Sequence, residues 1–433
     1  MRLTLLPAMA AIILSIAACG GDKSEEWPNE KDNQKEQTTD GKETDTGEKD
    51  KEEPGSGESG ETGSEGTGSG GETGTNNTEF GRWSALADSC TFVLVENYLN
   101  KNRGTFWSTV QNVEHSSSNI YWQQAHAMDV LLYSYRRIRE SNPTLAKTYL
   151  GYFRKWYEND ANNYNNTHDK EGDYGGFFNV WTDDMAWICL TLLRMTEFTG
   201  TEMYANTAKE VYDHYIWTRV SSCEKGTCLP WTSREEDKTK FNACTNTPSC
   251  LVSALLYNKF KEQSYLDNAI ALYKYNINNM PDEERVEEPP LSYTQGTMAE
   301  AARVLFHITG EKAYMEKSAK LLKYGLTSKR TTNNGILRSE GKSMDQSIFK
   351  AVFIPYAVNY VLDKDADSAD ALSIREKLLQ NAEALDRNLK KTTYPNMYCN
   401  YYWGKAVEDE TVVMGAQVSG ASLIENVARM FEK

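Results

Sequence analysis

Residues 22–78 lack almost every side chain that could build a hydrophobic core. This stretch of the 433-residue chain contains no Ala, Val, Leu, Ile, Met, Phe, Tyr or Cys, and its 17 acidic residues against six lysines give it a net charge of −11. A segment without apolar surface to bury cannot offset the entropy lost on folding. We therefore expect residues 19–78 to form a disordered acidic tether and residues 79–433 to form one large folded domain.

The sequence also lacks the signatures of several functional classes. Its 47 Lys and Arg stand against 62 Asp and Glu, which argues against nucleic-acid binding. The five histidines show no metal-binding spacing, and no Gly-rich phosphate loop is present. The acidic stretch Asp169–Asp173 resembles a calcium loop but has Tyr174 where the turn glycine belongs. We therefore expect neither a metal nor a cofactor.

No hydrophobic run is long enough to span a membrane as a mature helix. The apolar run Leu3–Ala18 follows Met1-Arg2 and has the length and flanks of a signal peptide over residues 1–18. It is followed directly by Cys19, an order that resembles a bacterial lipobox, with ordinary signal cleavage as the alternative. We expect an acylated (palmitate-bearing) Cys19 to anchor a monomeric protein to the bacterial outer membrane, at the cell surface or facing the periplasm.

Seven further cysteines would be exported, and spaced cysteines in an oxidising compartment are more often disulfides than redox centres. Four of them fall in a polar stretch that indicates one long loop: Cys223, Cys228, Cys244 and Cys250. They allow three disulfide pairings, with a four-cysteine zinc site as the alternative. The other three lie among apolar or aromatic residues and are expected to be buried thiols: Cys90, Cys189 and Cys399.

From Phe80 onward, apolar residues recur at helical spacing and β-branched runs are scarce, which predicts a mainly helical domain. Three segments resemble one another, and each follows an apolar helix and opens an amphipathic one: Thr199–Tyr204, Glu262–Leu266 and Thr309–Met315. Their equivalent tyrosines are 61 and 49 residues apart. Residues 79–433 therefore hold about six helix pairs.

The helices are of two kinds. Tyr121–Tyr135 and Asp184–Leu193 are apolar on nearly all sides, as in an inner ring, whereas Tyr204–Tyr215 and Tyr314–Tyr324 have one polar face, as in an outer ring. Two concentric rings predict an all-α fold, an α/α6 barrel of six inner and six outer helices. An open solenoid, the alternative, would need polar caps that the sequence does not show.

Two adjacent carboxylates stand at the predicted start of an inner helix. Asp183 and Asp184 follow a stretch rich in glycine and aromatic residues and are flanked by Trp181 and Trp187. Acids at a helix N-terminus often serve only as caps. Capping needs one acid, however, whereas glycoside hydrolysis needs two carboxyl groups, one ionised and one protonated.

Adjacent acids can supply both protonation states. The helix dipole favours the anion on one carboxyl, and this anion, together with burial, raises the pKa of its neighbour toward the range of a general acid. Neighbouring residues hold their carboxyls only a few Å apart. The pair therefore favours retaining hydrolysis, for which a separation of roughly 5 to 5.5 Å is typical, over inverting hydrolysis.

These features together resemble glycoside hydrolase family 76, the endo-α-1,6-mannanases. The resemblance spans residues 80–433 and rests on four segments: Tyr121–Ala125, Trp181–Trp187, Asn242–Asn246 and Ser292–Gly296. It implies an α/α6 barrel and retaining cleavage within α-1,6-linked mannose chains, with Asp183 as nucleophile and Asp184 as acid/base. Thr294 and the region from Cys223 to Cys250 depart from the family's pattern, which leaves the sugar subsites open.

Seven residues are candidates for substrate binding. Tryptophans could stack on sugar faces, although an aromatic residue in an apolar helix is usually part of the core. Polar side chains on an inner helix or in a turn before one could contact the sugar or make structural hydrogen bonds. Trp231, which lies in a polar loop, is the best sugar platform. The candidates are Trp122, Gln124, Trp187, Trp231, Tyr293, Gln295 and Gly296.

The predicted function is therefore that of a retaining endo-glycosidase acting on α-mannan polysaccharide or oligosaccharide. One alternative is a helical glycan-binding lipoprotein that feeds an importer, which would not need Asp183 and Asp184. A second is a transglycosidase of the same fold, which would keep the covalent intermediate but build longer chains. A lyase with the same barrel would instead leave unsaturated sugar ends.

Overall fold

The structure is a computed structural model that describes residues 71–110, 121–160, 176–393, 396–408 and 412–432. The predicted signal peptide, Cys19 and the acidic stretch Asp169–Asp173 lie outside these residues, as does most of the predicted tether. The first helix begins at Gly71, eight residues before the predicted domain boundary at residue 79.

In the described part of the chain, twelve α-helices alternate between an outer and an inner ring. The outer helices are α1 (Gly71–Tyr98), α3 (Pro143–Lys155), α5 (Glu202–Val211), α7 (Gln263–Asn279), α9 (Lys312–Thr327) and α11 (Ser368–Leu389). The inner helices are α2 (Trp122–Ile138), α4 (Thr182–Thr199), α6 (Ala243–Phe260), α8 (Ser292–Thr309), α10 (Met344–Val361) and α12 (Met414–Arg429). Each inner helix packs on its two inner neighbours, and α12 closes the ring by packing on α2. The predicted α/α6 barrel is confirmed.

Burial separates the two rings as the hydrophobic pattern predicts. In the inner helix α4, every residue from Thr182 to Leu193 is buried. In the outer helix α3, only Ala146, Tyr149 and Phe153 are buried, at the spacing of one helix face. A helix that is apolar all round has to be surrounded by other elements, so the sequence places it inside.

The three repeated segments form the turns from an inner helix to the next outer helix. Gly200, Lys261 and Gly310 take left-handed backbone conformations, with φ of 72°, 60° and 77°. The N–H of each donates to the carbonyl four residues earlier, which ends the inner helix. Because each such turn reverses the chain, the inner helices run in one direction. Their first turns meet at what we call the N-terminal end of the barrel, and their last turns meet at the C-terminal end.

The remaining regular elements are short. Three two-stranded hairpins pair β1 (Leu99–Asn100) with β2 (Thr105–Phe106), β3 (Ser221–Cys223) with β4 (Gly226–Cys228), and β5 (Thr332–Asn333) with β6 (Ile336–Leu337). Turns of π-helix follow α3 and α5, and two 3-10 turns lie between α5 and α6: Trp156–Asp160, Tyr212–Ile216, Trp217–Arg219 and Glu235–Asp237. Among the described residues, no helix combines the length and apolarity that a membrane span requires.

The cysteines do not form the predicted disulfides. None of the seven described cysteines is in a disulfide. The stretch predicted as one loop is in fact two elements: Cys223 and Cys228 lie on the β3–β4 hairpin, whereas Cys244 and Cys250 lie on the buried helix α6. The same separation leaves no shared site for a four-cysteine zinc centre. The other three cysteines are fully buried, as predicted: Cys90, Cys189 and Cys399.

Aromatic rings fill the barrel interior below its N-terminal end. Trp122, Trp187, Tyr293 and Phe349, which we call the aromatic floor, come from four different inner helices and are at most 3% exposed. Tyr293 stacks on Phe349 with ring centroids 4.1 Å apart. The Trp122 ring lies 6.1 to 6.5 Å from the other three. Close-packed rings make this level of the barrel a solid core that separates its two ends.

Candidate active site

Asp183 and Asp184 occupy the first turn of α4, at the N-terminal end of the barrel. Asp183 is fully buried and Asp184 is 8% exposed. The N-cap position belongs to Trp181, whose side chain makes no capping hydrogen bond. Asp184 accepts a hydrogen bond from the side-chain amide of Asn179 at 3.0 Å. The side chain of Asp184 is therefore turned toward a neighbouring segment, which is not the arrangement of a helix cap.

Two donors face one oxygen of Asp183. Its Oδ2 accepts hydrogen bonds from the indole N–H of Trp231 at 3.1 Å and from the thiol of Cys244 at 3.3 Å. The first turn of a helix also places the positive end of the helix dipole beside the carboxylate. Donors aimed at the charged form stabilise a carboxylate, as a nucleophile requires.

The surroundings of Asp184 favour its protonated form. Burial raises the pKa of Asp184 well above its usual range, and the charges of Asp183 and Asp345 raise it further, against the lowering effect of the Asn179 hydrogen bond. Asp184 therefore holds its proton at a pH at which an exposed aspartate has lost it. Two neighbouring carboxyls in opposite protonation states are what acid/base catalysis with a nucleophile needs.

Trp231 reaches Asp183 because two loops pair beside the site. The backbone N–H of Thr182 donates to the carbonyl of Trp231 at 2.8 Å, and Ser233 donates to the carbonyl of Val180 at 3.0 Å. Trp181 and Thr232 form an antiparallel bridge between the same two segments. Trp231 is only 8% exposed. Its indole N–H therefore orients Asp183. A sugar platform in a polar loop, as predicted for Trp231, would be more exposed than this.

Asp345 is a third carboxyl at this end, and the sequence reasoning missed it. It lies in the first turn of α10 and is 6% exposed. Its Oδ1 accepts hydrogen bonds from Trp122 Nε1 at 3.0 Å and from Gln123 Nε2. Burial raises the pKa of Asp345 to about 7, with a further contribution from the charge of Asp183, while the two hydrogen bonds act in the opposite direction. An acid at the start of an inner helix was the available sequence signal.

Three of the predicted substrate-binding residues have structural roles instead. Both polar atoms of the Gln124 amide are bonded to the backbone of Phe106, at 2.8 Å each. The Gln295 amide bonds to the backbone of residues 284, 286 and 321. Gly296 packs against α10 so closely that a Cβ would lie 2.7 Å from the Cα of Phe353. These contacts bond both amides to the backbone within the fold, and a contact of these three residues with a sugar stays a prediction.

The other three predicted residues are brought together beside the carboxyls. Trp122, Trp187 and Tyr293 belong to the aromatic floor, and Trp122 connects this floor to Asp345 through its indole N–H. The predicted alternative, that aromatics in apolar helices are core residues, describes Trp187, which is 1% exposed. The floor is thus bonded to Asp345 through Trp122.

A cavity of about 930 Å³ opens at the C-terminal end of the barrel, away from these carboxyls. All six inner helices line it, with residues that include Tyr133, Arg194, Leu255, Arg303, Tyr356 and Arg429. Its size alone would mark it as a binding site. The Asp183–Asp184 pair is not among its lining residues and lies at the other end of the barrel.

The model of glycosyl hydrolase family 76 matches residues 82–432. The chain belongs to glycosyl hydrolase family 76. The match covers the barrel from within α1 to the end of the described chain, and it includes Asp183, Asp184 and Asp345. The helical domain is therefore that of a glycoside hydrolase family.

Solved structures share the fold of this family 76 chain. The GH76A α-1,6-mannanase of Salegentibacter sp. HEL1_6 superposes with a TM-score of 0.68 at 23% identity, over 80% of this chain and 99% of its own. An inactive variant of that enzyme, with two consecutive aspartates replaced by asparagine and α-1,6-mannotriose bound, gives 0.69 at 21% identity, with the same coverage. Dfg5 from Chaetomium thermophilum, in complex with glucosamine, gives 0.63 at 15% identity, over 81% and 91% of the two chains. No curated protein matched this family 76 sequence.

Proposed function

We propose that this family 76 chain is a retaining, endo-acting hydrolase of α-1,6-mannan. The observation that carries the proposal is the pair of consecutive buried carboxyls with opposed surroundings, Asp183 beside two donors and Asp184 with a raised pKa. The similar Salegentibacter fold supports the substrate, because that protein is an α-1,6-mannanase and its inactive variant binds α-1,6-mannotriose.

In the first step, a carboxylate oxygen of Asp183 attacks the anomeric carbon of the mannose unit at the cleaved bond. The bond from that carbon to the glycosidic oxygen breaks, and Asp184 gives its proton to the departing oxygen. The products are a mannosyl ester on Asp183, an ionised Asp184 and a free chain with a new hydroxyl. Trp231 and Cys244 hold Asp183 in place for this attack.

In the second step, ionised Asp184 removes a proton from a water molecule, and the water oxygen attacks the anomeric carbon. The ester bond to Asp183 breaks, which restores the carboxylate and leaves Asp184 protonated again. Two inversions at one carbon retain its configuration. Asn179 keeps Asp184 turned toward the site through both steps, because its amide bonds to the carboxyl at 3.0 Å.

The proposal is tested by incubating residues 71–433 with unbranched α-1,6-mannan and separating the products by chromatography. We expect a ladder of short oligosaccharides from the wild type, and a loss of about 10⁴-fold or more in rate for Asp183→Ala. Asp386→Asn, which changes a buried acid of the outer ring, is the matched control and should keep the wild-type rate. A wild type that binds mannan but releases nothing would contradict hydrolysis and favour glycan capture.

The same reaction distinguishes the remaining mechanisms. Products longer than the starting oligosaccharide would favour transglycosylation, because the mannosyl ester would then have passed to a sugar instead of water. Ultraviolet absorption by unsaturated ends would favour a lyase. Proton NMR of the first products should show the α-anomer at the new reducing end, and a β-anomer formed first would contradict retention.

We further propose that the catalytic domain is held at the outer membrane through acylated Cys19 and the acidic tether. The small residues before Cys19 and the polar composition of residues 22–78 support this proposal. The full chain expressed in a Gram-negative host should incorporate labelled palmitate, whereas Cys19→Ala should not. Equal labelling of the two chains would contradict the anchor.

A further inference from the structure

The hydrogen bonds of Asp345 are concentrated on one of its two oxygens. Its Oδ1 accepts both available donors, Trp122 Nε1 and Gln123 Nε2. The hydrogen bonds seen among the described residues leave its Oδ2 without a donor, and the residue is 6% exposed. A carboxylate oxygen in such a place normally has a partner. The second oxygen of Asp345 therefore has acceptor capacity that the fold leaves unused.

The position of Asp345 directs this capacity toward the site. Trp122 and Gln123 begin α2, and Asp345 begins α10, so all three lie at the N-terminal end of the barrel. The charge of Asp345 acts on Asp184, and the charge of Asp183 acts on Asp345. Asp183 and Asp184 in the first turn of α4 and Asp345 in the first turn of α10 thus lie at the same end of the barrel, where Trp122 joins Asp345 to the aromatic floor.

A structural role alone does not account for Asp345. An acid in the first turn of a helix can stabilise the helix through the dipole, but the cap of α10 is Ser343, whose side chain accepts the N–H of Gln346. An ion pair would offset the cost of burying the carboxyl, yet no cation among the described residues pairs with Asp345. The neutral hydroxyl groups of a sugar would supply donors at this point without adding charge.

We propose that Asp345 is a substrate-binding residue whose Oδ2 accepts a hydrogen bond from a ring hydroxyl of the mannose unit that Asp183 attacks. The inference rests on the proposed function, and it deepens that function by assigning a third acid to the bound sugar. Trp122 and Gln123 are the positioning residues, because they fix Oδ1 and so aim Oδ2. A hydroxyl next to the anomeric carbon gains strength as a donor when positive charge develops on the ring in the transition state, so Asp345 contributes to both binding and rate.

Binding is measured in a chain that cannot turn over. The starting protein carries Asp183→Asn and Asp184→Asn, and its affinity for α-1,6-mannotriose is measured by calorimetry with and without Asp345→Asn. Asparagine keeps Oδ1 as an acceptor for Trp122 and Gln123 but puts a donor where Oδ2 was. We expect the Kd to rise about 10- to 100-fold, the loss typical of one hydrogen bond to a charged group. Asp386→Asn is the control and should leave the Kd unchanged.

A second measurement separates direct contact from a change of shape. A series of mono-deoxy α-1,6-mannobiosides is tested as inhibitors of the active chain and of its Asp345→Asn variant. If Asp345 accepts from one hydroxyl, removal of that hydroxyl weakens inhibition of the wild type but has little further effect on the variant, because both changes remove the same hydrogen bond. Additive losses for every hydroxyl would overturn the contact.

The outcomes keep the inference apart from the function on which it rests. Cleavage of mannan by the wild type with a Kd ratio below twofold overturns the role of Asp345 and leaves the hydrolase intact. Failure of the wild type to cleave mannan, together with failure of the starting chain to bind mannotriose, overturns both. A tenfold or larger Kd ratio in a chain whose melting temperature matches that of its parent supports the assignment.

Discussion

The two ends of the barrel both contain buried acids, but they treat them in opposite ways. At the C-terminal end, Asp129 bonds to Arg194 at 2.5 Å, and Asp363 bonds to Arg303 at 2.6 Å. Burial alone would raise the pKa of Asp129, but Arg194 and His126 together outweigh burial and hold the pKa below its usual range. The acids at this end are ionised and matched by cations.

At the N-terminal end, Asp184 and Asp345 have only neutral donors among the described residues: the amides of Asn179 and Gln123 and the indole of Trp122. Burial therefore dominates, and both carboxyls have raised pKa values. The comparison shows that burial alone does not mark a catalytic acid in this molecule. The absence of a paired cation sets Asp184 and Asp345 apart from the acids of the C-terminal end, because a buried acid without a cation keeps its proton to a higher pH.

Exchanging the acid at the N-terminal end should produce the largest effect and should act on catalysis. Asp184→Asn removes the proton donor but keeps the size of the side chain and the neutral character that the site favours. We expect kcat to fall by about 10²- to 10⁴-fold, the usual contribution of a general acid, with no loss of stability. Mannan hydrolysis measures the fall in kcat, and thermal unfolding of the same preparation measures the stability. An Asp184→Asn variant that is destabilised but active would contradict the proposed difference between the two ends.

Exchanging the acid at the C-terminal end should act on stability. Asp129→Asn leaves Arg194 buried beside a neutral group, and breaking a buried pair in this way costs about 3 to 5 kcal/mol in the free energy of unfolding. The rate per folded molecule should stay within about twofold of the wild type, because Asp129 does not contact the reacting carboxyls. Urea unfolding measures the first quantity. A large loss of kcat with unchanged stability would place Asp129 in the site after all.

The third-largest expected effect is on the pH dependence of stability, which should differ between the two ends. A carboxyl whose pKa is raised on folding destabilises the folded state as it ionises, so Asp345 weakens the protein as pH rises from about 4 to about 7. At about 1.4 kcal/mol per pKa unit, this penalty is at most about 4 kcal/mol. Asp345→Asn should therefore gain stability relative to the wild type at pH 8 but not at pH 4. If the difference in stability between Asp345→Asn and the wild type were the same at pH 8 and pH 4, the pKa of Asp345 would not be raised on folding.

The smallest effect is expected at the residue that orients Asp183. Trp231→Phe keeps a ring beside Trp181 but removes the N–H donated to Asp183, so we expect kcat to fall by about 10- to 100-fold while KM changes little. The control is Trp156→Phe, which removes an indole from the outer ring and should leave kcat unchanged. If Trp231→Phe and Trp156→Phe lowered kcat and changed KM to the same extent, the cause would be a general packing defect.

The sequence predicted the parts of the molecule that depend on local pattern. Hydrophobic spacing separated the inner from the outer helices, and three turn segments marked the helix pairs, because burial on all sides and reversal at a left-handed residue are written within one helix or one turn. The adjacency of Asp183 and Asp184 is likewise a property of the chain itself. These features pointed to the family before any contact was known.

The roles of single side chains depended on contacts between distant segments, and there the sequence predictions needed revision. Gln124 and Gln295 had the composition of sugar-binding groups but are used within the fold, because backbone groups of neighbouring segments come within reach of both ends of each amide. The stretch from Cys223 to Cys250, predicted to be one loop, contains a hairpin and the start of a buried helix. Amide and thiol side chains suit structural and functional positions equally well, so composition could not choose between them.

What the sequence determined by itself is thus the barrel, the family and the pair of adjacent acids. The tertiary structure decided which state each acid takes, by bringing Trp231 to Asp183 from 48 residues away and Trp122 to Asp345 from 223 residues away. The physical reason is that a carboxyl's pKa is set by the charges, donors and burial within a few Å. Those neighbours are fixed only when the ring of inner helices closes.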